Sequence, residues 1–577
     1  MIACTRDCYD TCVFDEGFRP VQGEPTFGFT CARGRADLTR NERNRLLRPL
    51  IDSKEAELED AVREVVKALK GLKREEVLHV EYDGNQGLLT WYFPARLWNA
   101  IGAASTDYSI CSLEGHKALE SVWGCSCGAG LEEFRKARAF ALWGSNASVS
   151  FIHGWHFMKD KYKIAVDVWE SETVRKSEKK FIINPSSDGW LALGVLKVLI
   201  YEGLGSLEHL DNAETLAELL DRVTLDEVSE VTGLSEDEIR ELAELYYYYE
   251  PLTVIGFSIG RTFDGFNSIA LISLIPAVLG LGRWFFYSNT YSTGIDFGYL
   301  RGLHMAKPSR VISMAEVGDE VEKGRVKFMF VWNSNPVLTL PMGNRIVEAV
   351  KEGRLFLVTH DPFVTETVKV SNVAFPAPTY LEKEDVVYSY WHDYLVYNRP
   401  IRPKRGLTEV ELMRLLSKAL GLSHPLVEED EWSALDYALR GTGVTVRELR
   451  EKGVVRVSRK IPEVRPNAGK VELPKRPPEG YYLVYSSHPL FTNTQFGEVY
   501  TPPASVLSGE FEGEIELETR FGKVRVRATR SEHVRGKVFV AYKPVLKSVN
   551  LNSLTPPEKG RSGTPKLNAT LVNPRAT

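Results

Sequence analysis

The chain has 577 residues, too many for one ordinary core, so several domains or a composite multilayer architecture are expected. With 43% hydrophobic and 26% charged residues it is a globular sequence, and a net charge of −5 gives no basic footprint for nucleic acid as the main partner. Seven cysteines are too few for a disulfide scaffold of this length, and their placement is uneven. Cys4, Cys8, Cys12 and Cys31 crowd the start, Cys111, Cys125 and Cys127 follow, and none lies beyond. Sulfur chemistry is therefore expected in the first third.

The N-terminus, MIACTRDCYDTC, shows no apolar signal core and no twin-arginine leader, which predicts a cytoplasmic location. After some fifty turn-rich residues, Lys54 to Leu72 shows helical spacing, with Leu58, Ala61, Val62, Val65, Val66 and Leu69 on one face. VLHVEYD, Val77 to Asp83, reads as a strand, and GLLTWYFPARLWNAIG as a glycine turn entering a helix. Phe140 to Trp143 is a strand ending in the polar turn GSNAS, Lys163 to Asp167 and Lys179 to Pro185 are further strands, and Leu191 to Tyr201 is an apolar helix. The run Tyr246 to Tyr249 falls on a predicted helix, points around it, and is read as structural. Ser268 to Gly282 is apolar but short for a membrane span and holds Pro276, so it is read as a buried helix, with no direct span in this chain.

The strand-and-helix pattern then repeats: PLTVIGFSIG, Lys327 to Pro336, Arg354 to Phe363 and Asn372 to Thr379 are all predicted strands with polar ends. Strands alternating with helices give an α/β class with two doubly wound parallel sheets, in which ligands sit at the carboxyl ends of the strands. WGSN and WNSN are similar strand-end turns far apart in the chain and suggest an internal pair of nucleotide-type sites. Val457 to Gly480 is rich in proline and charge and reads as a linker. The remainder, with YYLVYSSHP, GEIELETRFGKVRVRATR and GKVFVAYKP, predicts a small β-barrel. The expected domains are 1–50, a cluster domain; 51–137 with 325–470, a discontinuous α/β domain; 138–324, a second α/β domain; and 475–577, the barrel. Glutamine appears only as Gln22, Gln86 and Gln495, a scarcity that fits a thermophile.

The first four cysteines have the spacing C-x3-C-x3-C-x18-C. Three thiolates close in sequence and a fourth nearby can surround one iron–sulfur cubane, since each iron takes one soft anionic ligand. A zinc knuckle favours two tight pairs instead, and packing thiols would be spread more evenly. CTRDCYDTC, TCARG and NRLLRPL resemble the opening of the molybdopterin oxidoreductases of the dimethyl sulfoxide reductase superfamily. TDYSICSLEGHKAL, LWGSNAS, VWNSNPVLTLP, HDPFVTETV, NVAFPAPTYLEKED and NLNSLTP resemble later family segments in the same order, along nearly the whole chain. The first cysteine gap is three residues where many members have two, and the family's central insertions are absent, so the resemblance is to a compact, archaeal-like member.

The resemblance implies a multidomain molybdopterin-oxidoreductase fold, a [4Fe-4S] cluster on Cys4, Cys8, Cys12 and Cys31, and molybdenum or tungsten held by two molybdopterin guanine dinucleotides. It places Arg33 between cluster and pterin, where a fixed cation eases arrival of an electron. It places Cys111 as the protein ligand to the metal, with Ser112 as competitor. The formate-oxidising branch carries a histidine directly after its ligand; here that residue is Ser112, and the histidine comes at His116, a candidate general acid or base. His153 and His156 are read as pocket wall, and Cys125 and Cys127 as buried or incidental, because C-x-C is poor spacing for chelating one ion. A pyrophosphate wants backbone N–H groups at a glycine turn, and a guanine wants a carboxylate facing its donors. Gly144, Ser145 and Asn146 with Asp167 and Asp188 would serve one cofactor. Asn333, Ser334 and Asn335 with Asp361 and Thr365 would serve the other. His488, Thr492, Thr494 and Asn552 are assigned to the barrel that closes over both.

These readings describe an oxidoreductase doing two-electron chemistry on a small-molecule substrate and exchanging electrons with a ferredoxin-like protein or subunit. The alternatives are a non-redox hydratase of the same superfamily, like acetylene hydratase, a pterin-free electron-transfer scaffold like the large subunit of respiratory complex I, and an ordinary zinc-binding protein.

Overall fold

The computed structural model describes residues 1–542, 545–546 and 549–576. Its contacts divide it into two units, one of Met1–Tyr108, Thr293–Arg459 and Pro489–Thr501, the other of Ser109–Ser292, Lys460–His488 and Pro502–Thr577.

The first unit is built on a six-stranded sheet whose order is Lys54–Glu55, Leu50–Ile51, Val373–Pro376, Phe356–Asp361, Phe328–Trp332, Val77–Glu81. The last four run parallel, with Phe330 opposite both Val358 and His79. These strands are buried except at Phe356, which is why they read as continuous apolar runs and not as alternating ones. The amphipathic helix predicted after the opening segment is present as Leu58–Leu69, with Ala61, Val62 and Val65 buried. Trp332 closes its strand and donates its indole N–H to the carbonyls of Thr90 and Trp91, both at 3.2 Å.

The second unit holds a five-stranded, all-parallel sheet in the order Phe285–Phe286, Leu252–Ile255, Ala139–Trp143, Tyr162–Asp167, Lys179–Ile182. Helices Asp188–Tyr201 and Gly265–Val278 bury nearly all of their residues, the second despite containing Pro276. Each fully buried Leu or Ile there contributes about 1.5–3 kcal/mol. Among the described residues no helix is long and apolar enough to cross a membrane. Of the tyrosine run, Tyr246 turns inward and bonds Trp143 (2.8 Å) and Thr253 (3.0 Å), while Tyr247, Tyr248 and Tyr249 are exposed. The four side chains point around the helix, as expected.

The same unit carries the closed barrel, in the strand order Tyr481–Ser486, Val538–Tyr542, Ser505–Ser508, Gly522–Arg530, Gly513–Thr519, Thr570–Ala576. Its interior is filled by Leu483, Val506, Ile515, Leu517, Val526 and Phe539. Closure leaves no sheet edge to protect. The segment Pro489–Thr501, within the stretch expected to belong to the barrel, is part of the first unit.

Strand ends in the second unit approach so closely that one position admits no side chain. A Cβ on Gly256 would lie 2.0 Å from the carbonyl oxygen of Gly144. Gly256→Ala is therefore expected to abolish the cooperative thermal transition of the second unit, followed by circular dichroism, while Gly23→Ala, which meets nothing within 4 Å, leaves the melting curve unchanged.

Candidate active site

The two sheets end in the same construction. After strand Ala139–Trp143, Gly144 takes a left-handed φ of 54°; after Phe328–Trp332, Asn333 takes φ 55° at the matching place. Asparagine is one of the few side-chain-bearing residues that tolerate this region. Two residues beyond Gly144 and Asn333 stands an asparagine whose amide ties the turn to the short helix that follows the next strand, Glu172–Arg175 or Glu366–Val370. Asn146 Oδ1 accepts from Thr173 N (3.2 Å) and Oγ1 (2.9 Å), and its Nδ2 donates to Glu172 (2.8 Å). Asn335 Oδ1 accepts from Thr367 N (3.2 Å) and Oγ1 (2.6 Å), and its Nδ2 donates to Glu366 (3.1 Å) and Thr494 (3.2 Å). The recipients lie in SETVRKS and TETVKVS, a second repeat that the turn motifs alone did not reveal although it is visible in the sequence.

The candidate carboxylates stand just before those recipients. Asp167 accepts from Val168 N at 2.7 Å and Asp361 from Phe363 N at 2.8 Å. Burial raises both to about 7; Asp188 near Asp167 adds to the first, and Glu498 to the second against Arg40. Asp167 keeps some solvent contact although protein surrounds it, whereas Asp361 is buried. Asp188 opens helix Asp188–Tyr201 and is raised by burial to about 6. Gly144, Ser145, Asn333 and Ser334 are half-buried. Thr365 caps the helix Glu366–Val370 through Val368 N.

The opening cysteines gather around a short hairpin that pairs Ala3 with Val13. Cys4 N donates to Cys12 O at 2.8 Å, Thr30 Oγ1 to Cys12 Sγ at 3.5 Å, and Cys31 caps helix Ala32–Arg40 by accepting from Gly34 N at 3.4 Å. Cys8 Sγ accepts from Asp10 N at 3.5 Å. The thiols act on one another electrostatically. Burial pushes Cys4 up to about 11, with Arg6 opposing and Cys12 and Cys31 adding to the rise. Burial and Asp10 push Cys8 well up. Against the cost of burial, Arg33 and Arg6 bring Cys31 down. Arg6 is buried in an ion pair with Asp37, and Arg33, also buried, donates to Phe491 O (3.2 Å) and Thr492 Oγ1 (3.4 Å). Among the described residues no trio of His, Cys, Asp or Glu converges on a single metal ion.

Beside the hairpin, Gln86 N donates to Thr5 O at 2.6 Å and Asn493 reaches Asp7 at 2.9 Å. Here Asp83 is buried, and neither of its oxygens nor the side-chain amide of Gln86 has a hydrogen-bond partner among the described residues. Burial, helped by Asp7, raises Asp83 far above the usual carboxylate range. Buried groups left so cost about 1–3 kcal/mol each, which fits a place for a polar ligand rich in N–H donors. Asp83 carries no sequence signal beyond its position at a strand end.

Cys111 is buried in the bend before helix Leu113–Trp123, of which Ser112 is the capping residue. Arg261 Nη2 approaches its sulfur to 3.1 Å. An arginine and a helix N-terminus both favour a thiolate. The Ser112 carbonyl accepts from Tyr287 OH at 2.8 Å. His116 is buried, edge-on to Tyr287 and Tyr291, with Nδ1 2.6 Å from Ser126 Oγ. Burial, with Lys117, lowers it to about 3, so the imidazole is neutral near pH 7. On helix Ile152–Met158 His153 is buried, but His156 is exposed and so does not stand in a pocket wall as expected. His488 stacks edge-on against Tyr542, and Asn552 accepts from Tyr485 OH at 3.1 Å inside the barrel unit. Cys125 and Cys127 are not incidental: they are joined as a disulfide.

A fold of two parallel α/β sheets and a closed barrel, with duplicated polar strand ends and a buried cysteine beside an arginine, defines a class of pterin-dependent enzymes. The description "Molybdopterin oxidoreductase" matches residues 45–392, and the chain belongs to that family. It is similar to the "Probable oxidoreductase YoaE" of Bacillus subtilis, at 25% identity over 86% of this chain and 82% of the relative. It is also similar to the alpha subunit of an F420-dependent formate dehydrogenase from Methanocaldococcus jannaschii, at 21% identity over 56% and 54% of the two chains. Among solved structures, acetylene hydratase from Pelobacter acetylenicus shares the fold, with a TM-score of 0.72 over 95% of this chain and 94% of that one, at 15% identity.

Because Asp361 is raised to about 7, the folded chain binds a proton that the unfolded chain has released. Stability of the ligand-free protein is expected to fall as pH rises from about 4 through about 7, by no more than about 4 kcal/mol for this group. Asp361→Asn should flatten that slope in urea titrations at several pH values; an unchanged slope would deny the raised carboxyl.

Proposed function

We propose that the chain is a molybdenum- or tungsten-dependent oxidoreductase with a [4Fe-4S] cluster, acting on a small molecule and exchanging electrons with a ferredoxin-like protein or subunit. The observation that carries this reading is the pairing of four electrostatically linked thiols in one place with a separate buried thiol, Cys111, beside Arg261. The formate dehydrogenase relative is an alpha subunit, which supports a partner subunit here.

The residues suit these groups. Cys4, Cys8, Cys12 and Cys31 would hold the cluster, and Cys111 the metal, with Asp167 and Asp188 on one guanine and Asp361 on the other. Bound there, the metal with two molybdopterin guanine dinucleotides supplies two-electron chemistry, and the cluster supplies one-electron storage. Arg6 and Arg33 offset the negative charge that four thiolates bring into a buried place. Arg33, fixed by Phe491 and Thr492, would serve as the bridge between cluster and pterin. Arg261, 3.1 Å from the Cys111 sulfur, orients it. Asp167 and Asp361, raised by burial, ionise when N–H donors face them, so ligand capture there releases protons below about pH 7. His116, neutral, offers a fixed hydrogen-bonding nitrogen and not a charge.

Elemental analysis of anaerobically purified protein is expected to find roughly four iron and one molybdenum or tungsten per chain, the content of one cubane and one mononuclear site. Iron alone would mean a pterin-free scaffold, and zinc alone would end the reading. Turnover with a redox dye separates an oxidoreductase from a hydratase of the family: a fully loaded protein that never reduces or oxidises the dye is a hydratase.

Cys111→Ala is expected to keep the iron and lose turnover, and full activity would refute its role as ligand. Arg33→Ala should leave pterin content unchanged and slow cluster reduction on the order of tenfold, as loss of a charged hydrogen bond of about 1.5–3 kcal/mol allows. Stopped-flow absorbance of the cluster measures that rate.

A further inference from the structure

The disulfide between Cys125 and Cys127 closes a loop of almost no length, with Cα atoms 5.4 Å apart. A bridge this local removes little freedom from the unfolded chain, because stabilisation grows with the loop closed. Stapling is therefore not what it supplies. Its surroundings are built. The loop follows helix Leu113–Trp123 and is held by Arg283, whose guanidinium donates to the carbonyls of Trp123, Cys125 (3.4 Å), Cys127 (3.1 Å) and Pro462 (3.1 Å). The same guanidinium lies 3.9 Å from Cys125 Sγ, and a cation at a sulfur favours the reactive thiolate. Cys125 is half-buried and Cys127 fully buried. Between them Ser126 makes the 2.6 Å hydrogen bond to His116, and Gly128 N is fixed to Asn289 at 3.0 Å.

We propose that Cys125 and Cys127 are a thiol–disulfide exchange site, with Cys125 meeting a disulfide-bearing partner and Cys127 resolving it, and that the state of the pair sets how Ser126 holds His116. In the forward step the Cys125 thiolate attacks one sulfur of the partner disulfide. That bond breaks, one half leaves as a thiol, and a mixed disulfide forms. The Cys127 thiolate then attacks Cys125 Sγ and expels the second half. Two S–H bonds become one S–S bond, and the partner disulfide is reduced to two thiols with the two electrons and two protons. A dithiol runs the sequence backwards. When the bridge opens, the backbone around Ser126 regains its torsional freedom and the hold on His116 weakens.

Trypsin releases both cysteines, and no other, on the single peptide 118–135. The full-length protein is equilibrated in graded reduced and oxidised glutathione, quenched with N-ethylmaleimide and digested. The peptide is expected to pass reversibly from doubly alkylated to bridged. Cys127→Ser should trap Cys125 as the glutathione adduct, and Cys125→Ser should leave Cys127 unmodified. Alkylation of both sulfurs at every ratio would overturn the site. So would a bridge that yields to glutathione only after denaturation, or equal trapping of Cys127 in Cys125→Ser. Diethyl pyrocarbonate labelling of His116, read on peptide 97–117, is expected to run several-fold faster in the reduced protein; equal rates in both states would overturn the link to His116.

Discussion

The site depends on a side-chain amide used as a clasp. A parallel strand ends in a polar turn whose backbone groups have no ladder to pair with, and such a turn stays in place only if something else satisfies it. Asn146 and Asn335 anchor it, with their amides bonded to the Glu-Thr pair that opens the short helix after the following strand. The clasp sets the separation between a turn that could receive phosphate and a carboxylate that could receive a base. Further bonds hold the left-handed residues themselves: Gly144 N donates to Val166 O at 2.9 Å, and Asn333 Nδ2 to the carbonyls of Tyr82 and Asn85 at 2.7 Å.

Charge is managed by the same economy. Buried sulfur in the first unit is met by Arg6 and Arg33, and buried sulfur in the second by Arg261 and Arg283. Arginine suits this work, since it stays charged where lysine would lose its proton and its planar fork can satisfy several acceptors at once. Arg283 shows the cost: burial brings it down to about 10, and its ring of carbonyl acceptors is what keeps it charged in place.

Much of this could be read from residues alone. The buried strands, the apolar helices and the barrel were legible because each has its own period, and the cysteine spacing and the WGSN and WNSN turns marked where chemistry would lie. What stayed hidden is what only folding brings together. Arg261 is remote in sequence from Cys111 and has no motif. Pro489–Thr501 reads like barrel sequence because its composition does not change, yet it joins the first unit, where Thr492 meets Arg33. The C-x-C pair, poorly spaced for a chelator, reads as buried or incidental, and folding joins its two sulfurs instead. His116 looked like a poised acid or base because unperturbed imidazole titrates near neutrality, whereas two tyrosines and a serine desolvate it.

One consequence of the doubled strand ends concerns discrimination. Two strand ends built on the same amide and the same Glu-Thr pair would not, as nucleotide sites, tell one ligand from another by those contacts. Any preference in order or tightness of loading must arise where the copies diverge: glycine against asparagine at the turn, Asp188 supporting only one carboxylate, and Thr494 leaning on only one clasp. The asymmetry of the enzyme is written in those few departures from its own repeat.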